Sequence, residues 1–116
     1  MKKFIYFKTC RKRDKNGIPT KDGAHILEKA EGYKRIYAET VDGMDVEITV
    51  FFSKDSNNRW WATEKTTGFL ITNEKTLKAC EEFVWYNFDK LNMALKREDK
   101  FIEQVKAEIK NAYAAI

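Results

Sequence analysis

The dipeptide Asp42-Gly43 lies between two runs of β-forming residues, "YKRIYAETV" and "MDVEITVFF". No other feature constrains this chain as much. A two-residue turn of this kind needs positive backbone angles at both positions, which Asp tolerates and Gly prefers. Placing Val41 opposite Met44 fixes every other pair: Glu39 with Val46, Tyr37 with Ile48, Arg35 with Val50, Tyr33 with Phe52. That face is mostly apolar. The other pairs Thr40 with Asp45, Ala38 with Glu47 and Ile36 with Thr49, and is mostly polar. A slip of one residue exchanges the faces, so the pattern specifies its own register. The hairpin therefore buries one face and leaves much of the other wet.

Around this hairpin the chain reads as a meander. "KKFIYFKT" (2–9) is a strand whose consecutive apolar residues, Phe4 to Phe7, predict partial cover on both faces. Residues 10–24 hold the only proline, Pro19, with Gly17 and Gly23, and read as a loop. "AHILEKAEG" (24–32) fits a short helix or a strand entry. "KDSNN" (54–58) is a loop, "RWWATEK" (59–65) a strand, "TTG" (66–68) a turn and "FLIT" (69–72) a short last strand.

After Thr72 the period changes from two to 3.6, with Asn73 as the expected N-cap and no further Pro or Gly. Leu77, Cys80, Val84, Phe88, Leu91 and Leu95 form one stripe, and Ile102, Val105, Ile109, Tyr113 and Ile116 continue it. A single helix over this length would be roughly 60 Å long. The favoured alternative bends near Arg97–Asp99, with Asp99 capping a second helix. A continuous helix would need another chain at its far end, making a homodimer. Trp85 lies about 110° and Tyr86 about 150° from the stripe, so both are either covered by another element or exposed as a contact surface.

The predicted fold class is α+β over residues 1–116. It comprises an antiparallel meander of four or five strands (sheet 1–72), then one long bent helix or two C-terminal helices packed on one sheet face (73–116).

The residues supply little for catalysis. His25 is the sole histidine, and Ser53 and Ser56 are the only serines, in one polar loop. No local spacing assembles a zinc site, and neither GxGxxG nor GxxxxGK[ST] occurs, so no metal or cofactor is expected. Cys80 reads as core. Cys10 precedes Arg11-Lys12-Arg13, which would favour its thiolate. Two distant cysteines suit reduced thiols in the cytoplasm, although one disulfide remains open. No run is long enough to span a membrane or to serve as a secretory signal.

Charge is the remaining clue. Residues 1–35 carry eleven Lys/Arg against four Asp/Glu, while residues 36–57 carry one Lys against five acids. The positive cluster centres on Lys8, Arg11, Lys12, Arg13 and Lys15. With Trp85 and Tyr86, these are the candidate partner- or phosphate-binding residues. Such a patch suits an acidic protein surface, a nucleic-acid backbone or an anionic nucleotide. For nucleic acid, Trp60, Trp61 and Tyr33 are the candidate stacking residues; adjacent Trp60 and Trp61 must point to opposite faces, so at least one of them belongs to the core.

The segment "RWWATEKTTGFLITNEKTLKACEEF" resembles small phage and mobile-element proteins that block bacterial defence, anti-CRISPR proteins among them. The resemblance covers about a quarter of the chain and transfers no functional residues. It implies a non-enzymatic inhibitor that occludes a surface of a nucleoprotein defence complex. A small basic DNA- or RNA-binding module is the alternative.

Overall fold

The computed structural model describes residues 2–116. Five antiparallel strands run in the order β1(Lys3–Arg11), β2(His25–Val41), β3(Met44–Lys54), β4(Trp60–Glu64) and β5(Leu70–Glu74), each beside its neighbour in sequence. Three helices follow: α1(Leu77–Tyr86), α2(Phe88–Leu95) and α3(Lys100–Ala114). The expected α+β meander with helices after the sheet is what forms.

The hairpin register is the one required by Asp42-Gly43, from Val41 opposite Met44 to Tyr33 opposite Phe52. Asp42 and Gly43 both have positive φ, at 50° and 78°. The ambiguous segment 24–32 is strand. It continues into the hairpin as one 17-residue β2, whose first half pairs with β1 and whose second half pairs with β3. Gly32, where the two halves meet, allows this sharing. A Cβ there would lie 2.6 Å from the Phe52 carbonyl oxygen and 3.0 Å from the Tyr6 ring.

One sheet face carries both apolar clusters. Tyr37, Ile48, Val50, Phe52 and Ala62 pack with Cys80, Val84 and Phe88 of α1 and α2. Phe7 packs with Val105 and Ile109 of α3. The opposite face is less wet than the hairpin pattern suggests. Tyr6 is fully buried there and stacks on Phe51 at 4.9 Å, its hydroxyl 2.7 Å from the Ser53 hydroxyl. The apolar run at the chain's start is thus covered on both sides, Phe7 by α3 and Tyr6 by Phe51.

The sheet also curls. The Thr9 N–H and hydroxyl donate to the Gly68 and Thr67 carbonyls, at 2.9 and 2.6 Å. These bonds tie β1 to the turn that follows β4.

Three helical expectations need correction. Asn73 belongs to β5; the N-cap of α1 is Thr76, whose hydroxyl accepts from the Ala79 N–H. The helix breaks twice. Asp99 caps α3 as expected, accepting from the Phe101 and Ile102 N–H groups, but a further break at Asn87 separates α1 from α2. The single long helix that would have demanded a dimer is therefore not formed, and α3 packs on β1 of its own chain. Ile116 falls off the apolar stripe and is exposed, because α3 ends before it.

Candidate functional site

Because β1 returns toward β4, the helix-free face of the sheet becomes the lining of a groove. Lys8, Thr9, Cys10, Arg11 and Arg13 form one side, Ile26 and Glu28 of β2 form the floor, and Trp61, Thr63, Gly68 and Leu70 form the other side, around about 530 Å3. A second cavity of about 320 Å3 adjoins it, lined by Ala30, Glu31, Ser53, Lys54 and Asp55. Lys8 and Trp61 line both cavities, so the two adjoin at the indole and together make a trough along this side of the sheet. Strand alternation puts Lys8, Cys10, Glu28 and Trp61 on this face.

The indole is fixed in place. Its Nε1–H donates to Asp55 Oδ2 at 2.6 Å, and Asp55 also accepts from the Asn57 and Arg59 N–H groups. These donors, Trp61 first, hold the Asp55 carboxyl below its ordinary range. Trp60 points the other way and packs against the core, 6.1 Å from the Tyr33 ring. Of the three aromatic residues expected as stacking partners, only Trp61 reaches the trough.

The segment 12–24 is an ordered ribbon that extends β1 and is not an irregular loop. Lys12 N–H donates to Ala24 O, Thr20 N–H to Lys12 O and Asp14 N–H to Ile18 O, with Arg13 bridged to Pro19. Its acids are occupied by backbone. Asp14 accepts from the Asn16 and Ile18 N–H groups, and Asp22 from the Thr20 hydroxyl and Ala24 N–H. None of Lys8, Arg11, Lys12, Arg13 and Lys15 forms an ion pair; those among the described residues are Arg35–Glu81 and Lys78–Glu82, with the His25–Glu108 hydrogen bond a third only when the imidazole is protonated. The positive charge is therefore not neutralised by direct pairing. It is divided, however: Lys8, Arg11 and Arg13 line the groove, whereas Lys12 and Lys15 stand exposed on the ribbon outside it. The Arg13 guanidinium also donates to the Gly17 carbonyl at 2.8 Å, which holds it along the ribbon.

Trp85 and Tyr86 do not join this site. They line a separate shallow pocket with Arg35 of β2 and with Lys78, Glu81 and Glu82 of α1, and both are exposed, Tyr86 at 80%. No helix covers them.

Cys10 corrects the expectation of a reactive thiolate. Burial pushes its thiol up and Glu28 beside it pushes further, outweighing Lys8 and Arg13. Both cysteines are free. Among the described residues no group of three His, Cys, Asp or Glu is placed to hold a metal ion, and no helix is long and apolar enough to cross a membrane.

Glu28 and Lys54 are the groove residues that a sequence reading passes over. Reading "HILEKAEG" as a strand in phase with Tyr33 puts Glu28 on the face away from Tyr33, and the β1–β2 register then sets it opposite Lys8.

No protein-family model matches this chain, and no curated protein or solved structure is similar enough to match it.

Proposed function

We propose that the protein acts by binding, without turnover, and that its ligand is single-stranded nucleic acid lying in the trough between β1 and β4. One observation carries this reading. An indole fixed by its own hydrogen bond lines a trough whose walls bear Lys8, Arg11, Arg13 and Lys54, none of them in an ion pair. Cations that track a phosphate backbone, with an aromatic face for a base, are what sequence-tolerant single-strand binding needs. In a duplex the bases are already paired and stacked on one another, so none offers Trp61 a free face. The resemblance to anti-defence proteins supplies a setting. Covering the guide or displaced strand of a nucleoprotein defence complex would inhibit it stoichiometrically.

The test is fluorescence anisotropy of a labelled mixed-sequence single strand and its duplex. The single strand should bind in preference to the duplex and weaken about tenfold or more between about 50 and 200 mM salt. The triple variant R11A/K12A/R13A should lose most of this binding, and W61A should weaken it at every salt concentration. Equal binding by W61A, or no binding by the wild type, overturns the reading.

A second reading rests on exposed Trp85 and Tyr86, which suit a protein partner. It predicts that a host complex captured by the wild type is lost by W85A/Y86A and kept by R11A/K12A/R13A.

A further inference from the structure

Glu28 is out of place in a site for a polyanion. It is exposed, it lies on the groove floor facing Lys8 across the strand pair, and Arg11 and Arg13 line the same space. Yet it forms no ion pair with any of them; the Cys10 thiol beside it bonds to its carboxylate, and the remaining lone pairs of the two oxygens are left for a ligand. A carboxylate repels phosphate, so a floor built only for backbone would do better without it. It becomes useful if the ligand presents hydrogen-bond donors where the phosphate does not reach.

Nucleobases differ in what they offer there. Guanine presents two adjacent donors, N1–H and the N2 amino group, which match the two oxygens of a carboxylate. Adenine and cytosine present one amino group each on that edge, beside an acceptor nitrogen that a carboxylate repels; uracil offers a single N–H flanked by carbonyl oxygens. Trp61 supplies a stacking face in the same groove, and Arg11 and Arg13 supply guanidinium forks for phosphate. The cavity volume of about 530 Å3 lies within the range of small-ligand sites.

We infer that the groove is a guanine-selective nucleotide subsite, with the base stacked on Trp61, its N1–H and N2 amino group donated to Glu28, and its phosphate held by Arg11 and Arg13. This rests on the single-strand reading above and names the base it prefers. Glu28 sets specificity and contributes little to overall charge-driven affinity.

The experiment is calorimetric titration of the wild type and E28Q with the 5′-monophosphates of guanosine, adenosine, cytidine and uridine, alongside the mixed-sequence strand. The guanine nucleotide should bind about tenfold tighter than the other three, the discrimination expected of a good bidentate contact. E28Q presents one acceptor and one donor, so the preference should fall to within about twofold. E28A serves as a second variant, and thermal melts of both should match the wild type, as Glu28 is exposed. Equal binding of the four nucleotides, or a guanine preference that survives both substitutions, overturns the inference. If the mixed strand still binds in a salt-dependent way, the single-strand reading stands alone; if neither strand nor nucleotide binds, both fall.

Discussion

The Thr9 N–H donates to the Gly68 carbonyl at 2.9 Å, and this bond joins the first strand to the turn between the fourth and fifth. Gly68 makes the approach possible. Its φ is +68°, and a Cβ would lie 2.8 Å from the Phe7 carbonyl oxygen, the Thr9 nitrogen and the Ile109 side chain. Two of these neighbours are backbone and cannot swing aside. Gly68→Ala should therefore cost about 2–4 kcal/mol, combining left-handed strain with overpacking. Urea unfolding measures it. The trough should open at the same time, so strand binding falls more than the loss of folded protein explains. A cost below about 1 kcal/mol would show that the closure is not rigid.

Glu64 holds that turn from beneath. Its side chain is buried and has no cationic partner. Instead it accepts from the Thr66 and Thr67 N–H groups at 2.7 and 2.9 Å and from both threonine hydroxyls. Glu64→Ala removes the acceptor from four donors, of which those of Thr67 are buried and cannot turn to water. The expected cost is about 2–4 kcal/mol. Glu64→Gln keeps one acceptor oxygen but aims an amide NH2 at donors, so it should fall between Ala and the wild type. Melting temperatures in that order support the account; a Gln variant as stable as the wild type would contradict it.

The parts of the fold legible in the sequence are those set by local chemistry. Asp42-Gly43 fixes a phase, and the alternation of Tyr37, Ile48 and Val50 carries it along both strands. Asp99 announces α3 because its side chain can cap only a helix that begins just after it. Other features depend on partners distant in sequence. Residues 24–32 look ambiguous because Gly32 interrupts the pattern, and only the close approach of the Phe52 carbonyl and the Tyr6 ring explains why glycine stands there. The break at Asn87 is invisible because Asn87 keeps helix-like hydrogen bonding, its N–H donating to Phe83 O, while its own φ and ψ depart from helical values. The candidate site was half legible. A run of cations shows in any sequence, but which of them share a groove with Trp61 depends on the Thr9–Gly68 closure. Arg11 and Arg13 fall inside it, and Lys12 and Lys15 outside.

The lone histidine anchors α3 to the sheet. A ring nitrogen of His25 lies 2.7 Å from Glu108 Oε2, and the ring stands edge-on to Phe101 at 5.1 Å. The bond to His25, then that from Gln104, holds the Glu108 carboxyl below its ordinary value of 4.5. A carboxyl depressed in the folded state adds stability that is fully present above its unfolded value and is lost as pH falls through the folded one. Docking of α3 should therefore hold at neutral pH and loosen below about pH 4.5. Hydrogen exchange of residues 100–114 between pH 7 and 3.5, corrected for intrinsic rates, should reveal this loosening. Glu108→Gln should flatten the response, because the titrating group is gone. An acid response in that variant equal to the wild type's would assign the effect to other carboxylates.

Cys10 gives a reporter inside the trough. Its thiol is pushed up from the ordinary value of 9.0 by burial and by Glu28, against the pull of Lys8 and Arg13. Little thiolate is then present at pH 7, and alkylation by iodoacetamide should run well below the rate for an unhindered cysteine thiol. Cys80 is fully buried in the core and should not react in the folded protein, so the observed rate belongs to Cys10. Glu28→Gln removes the neighbouring negative charge while leaving the burial, so alkylation should accelerate by a few fold. A bound single strand should slow it again by covering the groove. A wild-type rate matching free cysteine would mean that Cys10 is not enclosed as described. A rate unaffected by saturating strand would place the ligand outside the trough, even if binding itself were strong.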